Sequence, residues 1–240
     1  MADSQDTYIP DGATLRNTGQ VAENIGYRSI VVASQAIAWL VSHILDLCFA
    51  VEMHRPPGLF ERGPEQCLIL ASMHKSVFDP WLIMGALRYH QWRALIPVRT
   101  LATQTFRRAP LTWLMPLIRV RYRVEGVVEL PPKVQGLLDA LREGDVVAIF
   151  PEGRIWKRRF PPIGEFAPGV VYLQRRSGAR IVPIAVWTGE RYWPRRGYVI
   201  EIGLPVSIPE SLDLEGGAMW LRTRTLELYE RARRRGEATR

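Results

Sequence analysis

Cysteine, histidine and acidic residues are scarce in this chain of 240 residues, and each shortage excludes a class of protein. The chain has two cysteines and four histidines, and they lack the spacing of a zinc finger. Cys48 and Cys67 both lie inside apolar runs, as small buried hydrophobic residues do. We therefore expect no disulfide, no metal and no bound cofactor, and a reducing, cytosol-facing location.

The shortage of acidic residues leaves the chain strongly basic. Its 32 Lys and Arg residues outnumber 24 Asp and Glu residues, which gives a formal net charge of +8 at pH 7. Such a charge favours a negatively charged partner, such as nucleic acid, an anionic bilayer or a phosphorylated small molecule. No zinc-finger spacing or RNA-binding aromatic motif is visible, which weakens the nucleic-acid option. We therefore expect no nucleic acid, while an anionic membrane surface and a phosphorylated small molecule both remain open.

We expect no secretory signal peptide in the N-terminal part, since no basic segment leads into an apolar one. Residues 1–28 form a polar segment, residues 29–58 an apolar or amphipathic helical region, and residues 59–240 the main domain. The run from 29 to 51 is long enough to span a bilayer, but a charged Asp46 inside hydrocarbon would be costly. Gln35, Ser42 and Asp46 form one polar stripe, which predicts a helix at the membrane interface. A buried core helix with one wet edge is the alternative.

The main domain shows short apolar runs that alternate with helical patterns from about residue 66. Runs such as "CLILAS" and "DVVAIF" are continuously apolar, as strands are in a sheet that is buried on both faces. The alternation predicts an α/β domain with a mostly parallel sheet flanked by helices.

A histidine and an aspartate stand where the first of these strands gives way to a helix. His74 follows "CLILASM", and Asp79 precedes Pro80, which suits the first turn of a helix. Asp79 is therefore predicted as the N-cap of "PWLIMGAL", and the four intervening residues as a turn that brings the two side chains together. As a pair they fit a general base and the carboxylate that orients it. A common helix start beside an unrelated loop histidine explains the pair equally well.

A second loop, "FPEGRIWKRRF", follows the buried strand "VVAI" and concentrates positive charge around one carboxylate. Arginine clamps phosphate oxygens well, and Glu152 could hold a hydroxyl group or one of the arginines. Arg154, together with Arg121 or Arg123, favours an acceptor that carries phosphate. A solvated basic loop without a function is the plainer interpretation, which "FPEG" makes less attractive.

Taken in order, H-x4-D at 74–79, F-P-E-G at 150–153 and V-P-I at 182–184 resemble the glycerolipid (PlsC-like) acyltransferases over roughly residues 60–205. The resemblance implies an α/β enzyme of the membrane surface, peripheral or monotopic on the cytoplasmic face of the cell membrane. It would move a fatty acyl group from acyl-CoA or acyl carrier protein to a lysophospholipid, chiefly 1-acylglycerol-3-phosphate, in membrane lipid synthesis.

The resemblance also implies roles for individual residues. His74 and Asp79 would be the catalytic pair. The strand containing Val182 and Pro183 would contribute to the acyl-transfer site. The acceptor would be bound by Phe150, Pro151, Glu152, Gly153 and Arg154.

The sequence departs from the family pattern near the acceptor residues, where Trp156 replaces a small polar residue. The alternatives are therefore an acyltransferase for another lysolipid, such as a lyso-aminolipid or glycolipid, or a silent membrane-binding protein.

Overall fold

The structure is a computed structural model, and it describes residues 32–33, 36–37, 39–44, 49–60, 68–76, 78–100, 132–156, 160–191 and 196–238. The strands are β1 (Phe49–His54), β2 (Leu68–Ser72), β3 (Val98–Thr100), β4 (Val146–Ile149), β5 (Arg180–Arg191) and β6 (Arg196–Ile202). Residues 32–33, 36–37 and 39–44 are helical. The helices after β1 are α1 (Asp79–Gly85), α2 (Tyr89–Leu95), α3 (Pro132–Arg142), α4 (Gly169–Ser177) and α5 (Leu214–Ala238).

The strands form one mixed sheet in the order β1-β6-β5-β2-β4-β3. Every neighbouring pair is parallel except β5 and β6, which are antiparallel. Strands β2 to β5 therefore point the same way, and their carboxyl ends meet at one edge of the sheet. This arrangement confirms the predicted α/β fold with a mostly parallel sheet.

The centre of the sheet is buried on both faces. All five residues of β2 are buried, and Ile69, Val147 and Ile181 have no exposed surface at all. Helix α4 contacts both α3 and α5, and α5 packs against β5 and β6. The continuously apolar runs in the sequence follow from this burial, because neither face of a central strand meets water.

The N-terminal region contributes a strand that the sequence pattern conceals. β1 pairs in parallel with β6 from Phe49 to His54, so the helix predicted over residues 29–51 ends before Phe49. The predicted polar stripe is also turned inward at Ser42, which is fully buried where it approaches Gly85 of α1. No helix among the described residues is long and apolar enough to cross a membrane.

Candidate active site

His74 and Asp79 meet at the carboxyl edge of the sheet. His74 lies two residues beyond β2, and its Nδ1 is 3.0 Å from Oδ2 of Asp79. The His74 side chain is 11% exposed and that of Asp79 is fully buried. Since a carboxylate can only accept, Nδ1 carries the hydrogen, and Nε2 of the neutral ring is the acceptor. No described residue bonds to Nε2.

The Asp79 carboxylate also holds the turn in front of it. Its Oδ2 accepts hydrogen bonds from the backbone N–H groups of Lys75, at 2.6 Å, and Ser76, at 2.7 Å. The predicted N-cap role was wrong: Asp79 is the first residue of α1, and the cap position belongs to Phe78, which makes no capping side-chain bond. The backbone N–H groups of the preceding turn lie as close to the carboxylate as the histidine ring does, so the carboxylate accepts hydrogen bonds from both.

Phe150, predicted to bind the acceptor, lies against the histidine. Its ring stacks on that of His74 with centroids 4.1 Å apart and planes inclined by 24°. The imidazole is therefore fixed by Asp79 at one nitrogen and by an aromatic ring on its face. A ring held in this way loses little freedom when it takes up a proton during a reaction.

Glu152 links the loop after β2 to the loop after β4. One oxygen accepts the backbone N–H of His74 at 2.7 Å, and the other accepts the N–H of Gly164 at 2.7 Å. Burial raises the pKa of Glu152 above its ordinary value, and both N–H bonds and the nearby Lys75 oppose that rise. The hydroxyl or arginine contact predicted for Glu152 is replaced in this structure by two backbone contacts.

Lys75 is a half-buried cation beside Glu152 and Asp79. Burial lowers the pKa of its ammonium group, against the opposing charges of Glu152 and Asp79. Its Nζ donates to the carbonyl of Pro162 and lies 5.8 Å from the ring centroid of Tyr229 on α5. Sequence reasoning missed this role, because both contacts come from later parts of the chain.

The turn after β4 requires glycine at position 153. Gly153 has φ of +64°, a backbone conformation that side-chain-bearing residues rarely adopt, and its N–H donates to Phe150 at 3.0 Å. Pro151 is buried, and its carbonyl accepts the N–H of Ala167 at 2.8 Å. Both predicted residues therefore shape the loop.

Arg154 leaves that turn exposed to solvent. Its guanidinium carbon lies 5.1 Å from the centroid of the Trp156 ring, and no carboxylate of the described residues pairs with it. Stacking on an indole holds a guanidinium group in place while its N–H groups remain available to bind an anion. Arg121, the other predicted cation, lies outside the described residues.

Trp156, a departure from the family pattern, joins the two loops directly. Its backbone N–H donates to the carbonyl of His74 at 2.6 Å, and its Nε1 donates to Pro161 at 2.8 Å. Sequence reasoning missed this role, and no local signal announces it.

Val182 and Pro183 lie inside the sheet, paired in register with Leu70 and Ala71 of β2. Both are buried. The next residue, Ile184, reaches the site, because its carbonyl accepts the N–H of Met73 and its side chain lines a cleft. The predicted strand is adjacent to the histidine, but the structure brings its next residue to the site.

An apolar cleft adjoins the histidine, between α1, α2 and the ends of β2, β3 and β4. Its volume is about 600 Å³, including the part that is open to solvent. Phe150 lines it and also stacks on His74, so the cleft and the imidazole share one side chain. Its apolar lining among the described residues includes Leu70, Ile83, Met84, Leu87, Trp92 and Leu95.

Comparison with known proteins assigns the chain to a family. A family model described as Acyltransferase matches residues 51–187, which is more than half of the chain. The chain belongs to the Acyltransferase family. The predicted resemblance and the prediction of an acyltransferase enzyme are thereby confirmed. No curated protein sequence matches the chain.

A solved structure is similar in fold to this acyltransferase. It is the crystal structure of the 1-acyl-sn-glycerophosphate (LPA) acyltransferase PlsC from Thermotoga maritima, with a TM-score of 0.54 and 14% sequence identity. The match covers 90% of this chain and 84% of that chain. At this identity the likeness concerns the fold alone.

Proposed function

We propose that this acyltransferase moves a fatty acyl group from acyl-CoA or acyl carrier protein to the hydroxyl of a lysophospholipid, with 1-acylglycerol-3-phosphate as its acceptor. The observation that carries the proposal is the His74–Asp79 contact of 3.0 Å, which leaves Nε2 as an acceptor beside an apolar cleft. An enzyme base of this kind needs a hydroxyl to deprotonate, and the acceptor supplies it.

The proposed reaction is a direct transfer. Nε2 of His74 takes the proton from the acceptor hydroxyl while its oxygen attacks the thioester carbonyl carbon. Collapse of the tetrahedral intermediate breaks the carbon–sulfur bond, and the imidazolium returns its proton to the departing thiolate. Asp79 keeps the ring in the required tautomer and stabilises the imidazolium. General base catalysis of this kind typically raises the rate by about 10² to 10⁴-fold.

The cleft supports a fatty acyl donor. Its described lining is almost wholly apolar, as the binding site of a hydrocarbon chain requires. Because Phe150 forms part of the cleft and stacks on His74, a chain in the cleft would bring its carbonyl close to the imidazole.

Arg154 supports an acceptor that carries phosphate. It is exposed, it stacks on Trp156 and it has no acidic partner among the described residues. A charge-assisted contact from a guanidinium group is among the stronger ways to hold a phosphate. A lyso-aminolipid or glycolipid acceptor would not use this cation.

The test is release of free thiol from acyl-CoA, and in parallel from acyl carrier protein, with a panel of lysolipids with and without phosphate. We expect the fastest turnover with 1-acylglycerol-3-phosphate. Faster turnover with a phosphate-free lysolipid would refute the proposed acceptor, and no turnover with any acceptor would favour a silent membrane-binding protein.

We further propose that the protein attaches to the cytoplasmic face of the cell membrane through exposed apolar side chains that precede β1 in the chain. Ile37, Leu40 and Ile44 are 50%, 60% and 59% exposed, and their spacing places them on one side of a helix. Trp39 holds the inner side, with its Nε1 donating to the carbonyl of Leu87 at 3.2 Å. Exposed apolar side chains on a basic protein suit an anionic bilayer.

Vesicle sedimentation tests this attachment without disturbing β1. The variant I37Q/L40Q/I44Q should lose most binding to anionic vesicles, whereas L204Q/M219Q, which changes two other exposed apolar residues, should bind as the unaltered chain does. Equal binding by both variants would refute the proposed membrane face. Full release by high salt would assign attachment to charge instead, since salt screens exposed charges.

A further inference from the structure

Four consecutive carbonyl groups in residues 161–164 each accept a hydrogen bond from a side chain. In chain order the donors are Trp156 Nε1 at 2.8 Å, Lys75 Nζ, Arg222 Nη2 at 3.1 Å and Arg222 Nε at 2.8 Å. A loop whose backbone is held by three separate side chains is fixed in position far more firmly than the two proline residues alone would fix it.

This loop leads directly to the histidine. The N–H of Gly164 donates to one oxygen of Glu152, and the other oxygen accepts the N–H of His74, both at 2.7 Å. A side chain at position 164 would also collide with the indole, since a Cβ there would lie 2.7 Å from the Trp156 ring. The placement of Gly164 therefore sets the placement of Glu152, and through it the backbone of His74.

Arg222 reaches this loop from α5, 58 positions later in the chain. It is half-buried, and both of its bonds go to neighbouring carbonyl groups, of Ile163 and Gly164. Other arginines of α5 pair with glutamates, as Arg224 does with Glu227 at 3.3 Å, but no carboxylate of the described residues pairs with Arg222. The forked guanidinium can bond two carbonyl oxygens at once, which a lysine cannot do with the same geometry.

We propose that Arg222 is a positioning residue for acyl transfer, acting through Gly164 and Glu152 on the backbone of His74. The proposal rests on the proposed role of His74 as the base, but not on the identity of the acceptor. Arg222 itself touches no reacting atom. It lies at one end of a series of hydrogen bonds that runs through Gly164 and Glu152 to the backbone N–H of His74.

The kinetic test compares R222M and R222K with the control R224M on the same helix. With whichever acceptor the unaltered enzyme turns over best, R222M should lower kcat at least tenfold, and R222K should lower it less. KM for the acyl donor should stay near that of the unaltered enzyme. Guanidinium ions added at millimolar concentration should restore part of the activity of R222A but none to H74A.

A spectroscopic readout separates this proposal from the proposed function. Protein labelled with ¹⁵N-histidine has four backbone amide signals, because the chain has four histidines. In R222M the His74 amide should shift upfield as its bond to Glu152 weakens, while the His54 amide on β1 should not move. R224M should leave both unchanged.

The outcomes are decisive in combination. An unmoved His74 amide with unchanged kcat in R222M would overturn the proposal, and so would a lowered kcat without any movement of that amide. If R222M does not fold, R222K carries the same two measurements. A shifted amide in a protein that transfers no acyl group would support the positioning role while refuting the proposed function.

Discussion

The two loops that form the site are held together in different ways. In the loop after β2, Asp79 Oδ2 accepts bonds from positions 74, 75 and 76, all within five residues. In the loop after β4, Glu152 bonds to His74, 78 positions away, and Gly164 in turn depends on Arg222 in the last helix. The bonds of Asp79 are local, whereas those of Glu152 and Gly164 form only when the whole domain has folded.

This difference separates two kinds of damage. A change in the Asp79 carboxylate removes a chemical group without disturbing the rest, because its hydrogen bonds are short-range. A change in the second loop spreads to residues far along the chain, since Glu152 links the histidine, Lys75 and the segment around Gly164. Activity and stability should therefore separate in the first loop and be coupled in the second.

The largest effect is expected for H74A. Removing the imidazole should lower kcat by about 10² to 10⁴-fold, the usual contribution of a general base. The unfolding midpoint should change far less than turnover, because His74 lies beyond the end of β2 and outside the apolar core. H54A is the matched control, since His54 bonds to Glu52 on the edge strand β1. Near-normal turnover by H74A would eliminate the proposed mechanism.

D79N should be almost as damaging to turnover while leaving the turn intact. The amide oxygen can replace Oδ2 towards Lys75 and Ser76, and its NH₂ group can occupy the position of Oδ1, which has no partner among the described residues. The charge that stabilises the imidazolium is lost, so kcat should fall by about 10²-fold or more. Stopped activity assays and thermal unfolding measure the two effects. Parallel losses in both would assign Asp79 to the turn alone.

E152Q should reveal the coupling of the second loop through its dependence on pH. Burial raises the pKa of Glu152 above 4.5 on folding. A group of this kind stabilises the fold most below its unfolded pKa, and that stabilisation is lost as the pH rises through the folded pKa. The free energy of unfolding of the unaltered protein, relative to E152Q, should therefore fall as the pH rises from about 4.5 through the raised folded pKa.

Turnover should fall when glutamine replaces Glu152. Glutamine has one acceptor oxygen, so either His74 or Gly164 loses its partner, and kcat at neutral pH should fall by about tenfold. Urea unfolding and turnover measured across the same pH range check both effects. A stability difference that stays constant with pH would contradict the role assigned to the buried carboxylate.

The extent of successful prediction follows the same division. The α/β alternation and the meeting of His74 with Asp79 could be predicted, because strand patterns and an Asp-Pro helix start are local properties. The N-cap role failed because backbone N–H groups of the turn compete for the same carboxylate. β1 was concealed by an apolar run that continues a helical pattern. Arg222 could not be found, since its partners lie 58 and 59 positions away.

The smallest effect is expected for R154A, which sharpens the comparison because Arg154 belongs to the second loop without supporting it. Its guanidinium group rests on Trp156 and is exposed, so its removal should leave the unfolding midpoint unchanged. Loss of one charge-assisted contact should raise KM for a phosphate-bearing acceptor by about tenfold, with KM for the acyl donor unaffected. R142A, which removes an exposed arginine paired with Asp139, is the control for general loss of charge. An equal rise in KM for both substrates would place the phosphate elsewhere, and a rise matched by R142A would attribute the effect to net charge rather than to a contact.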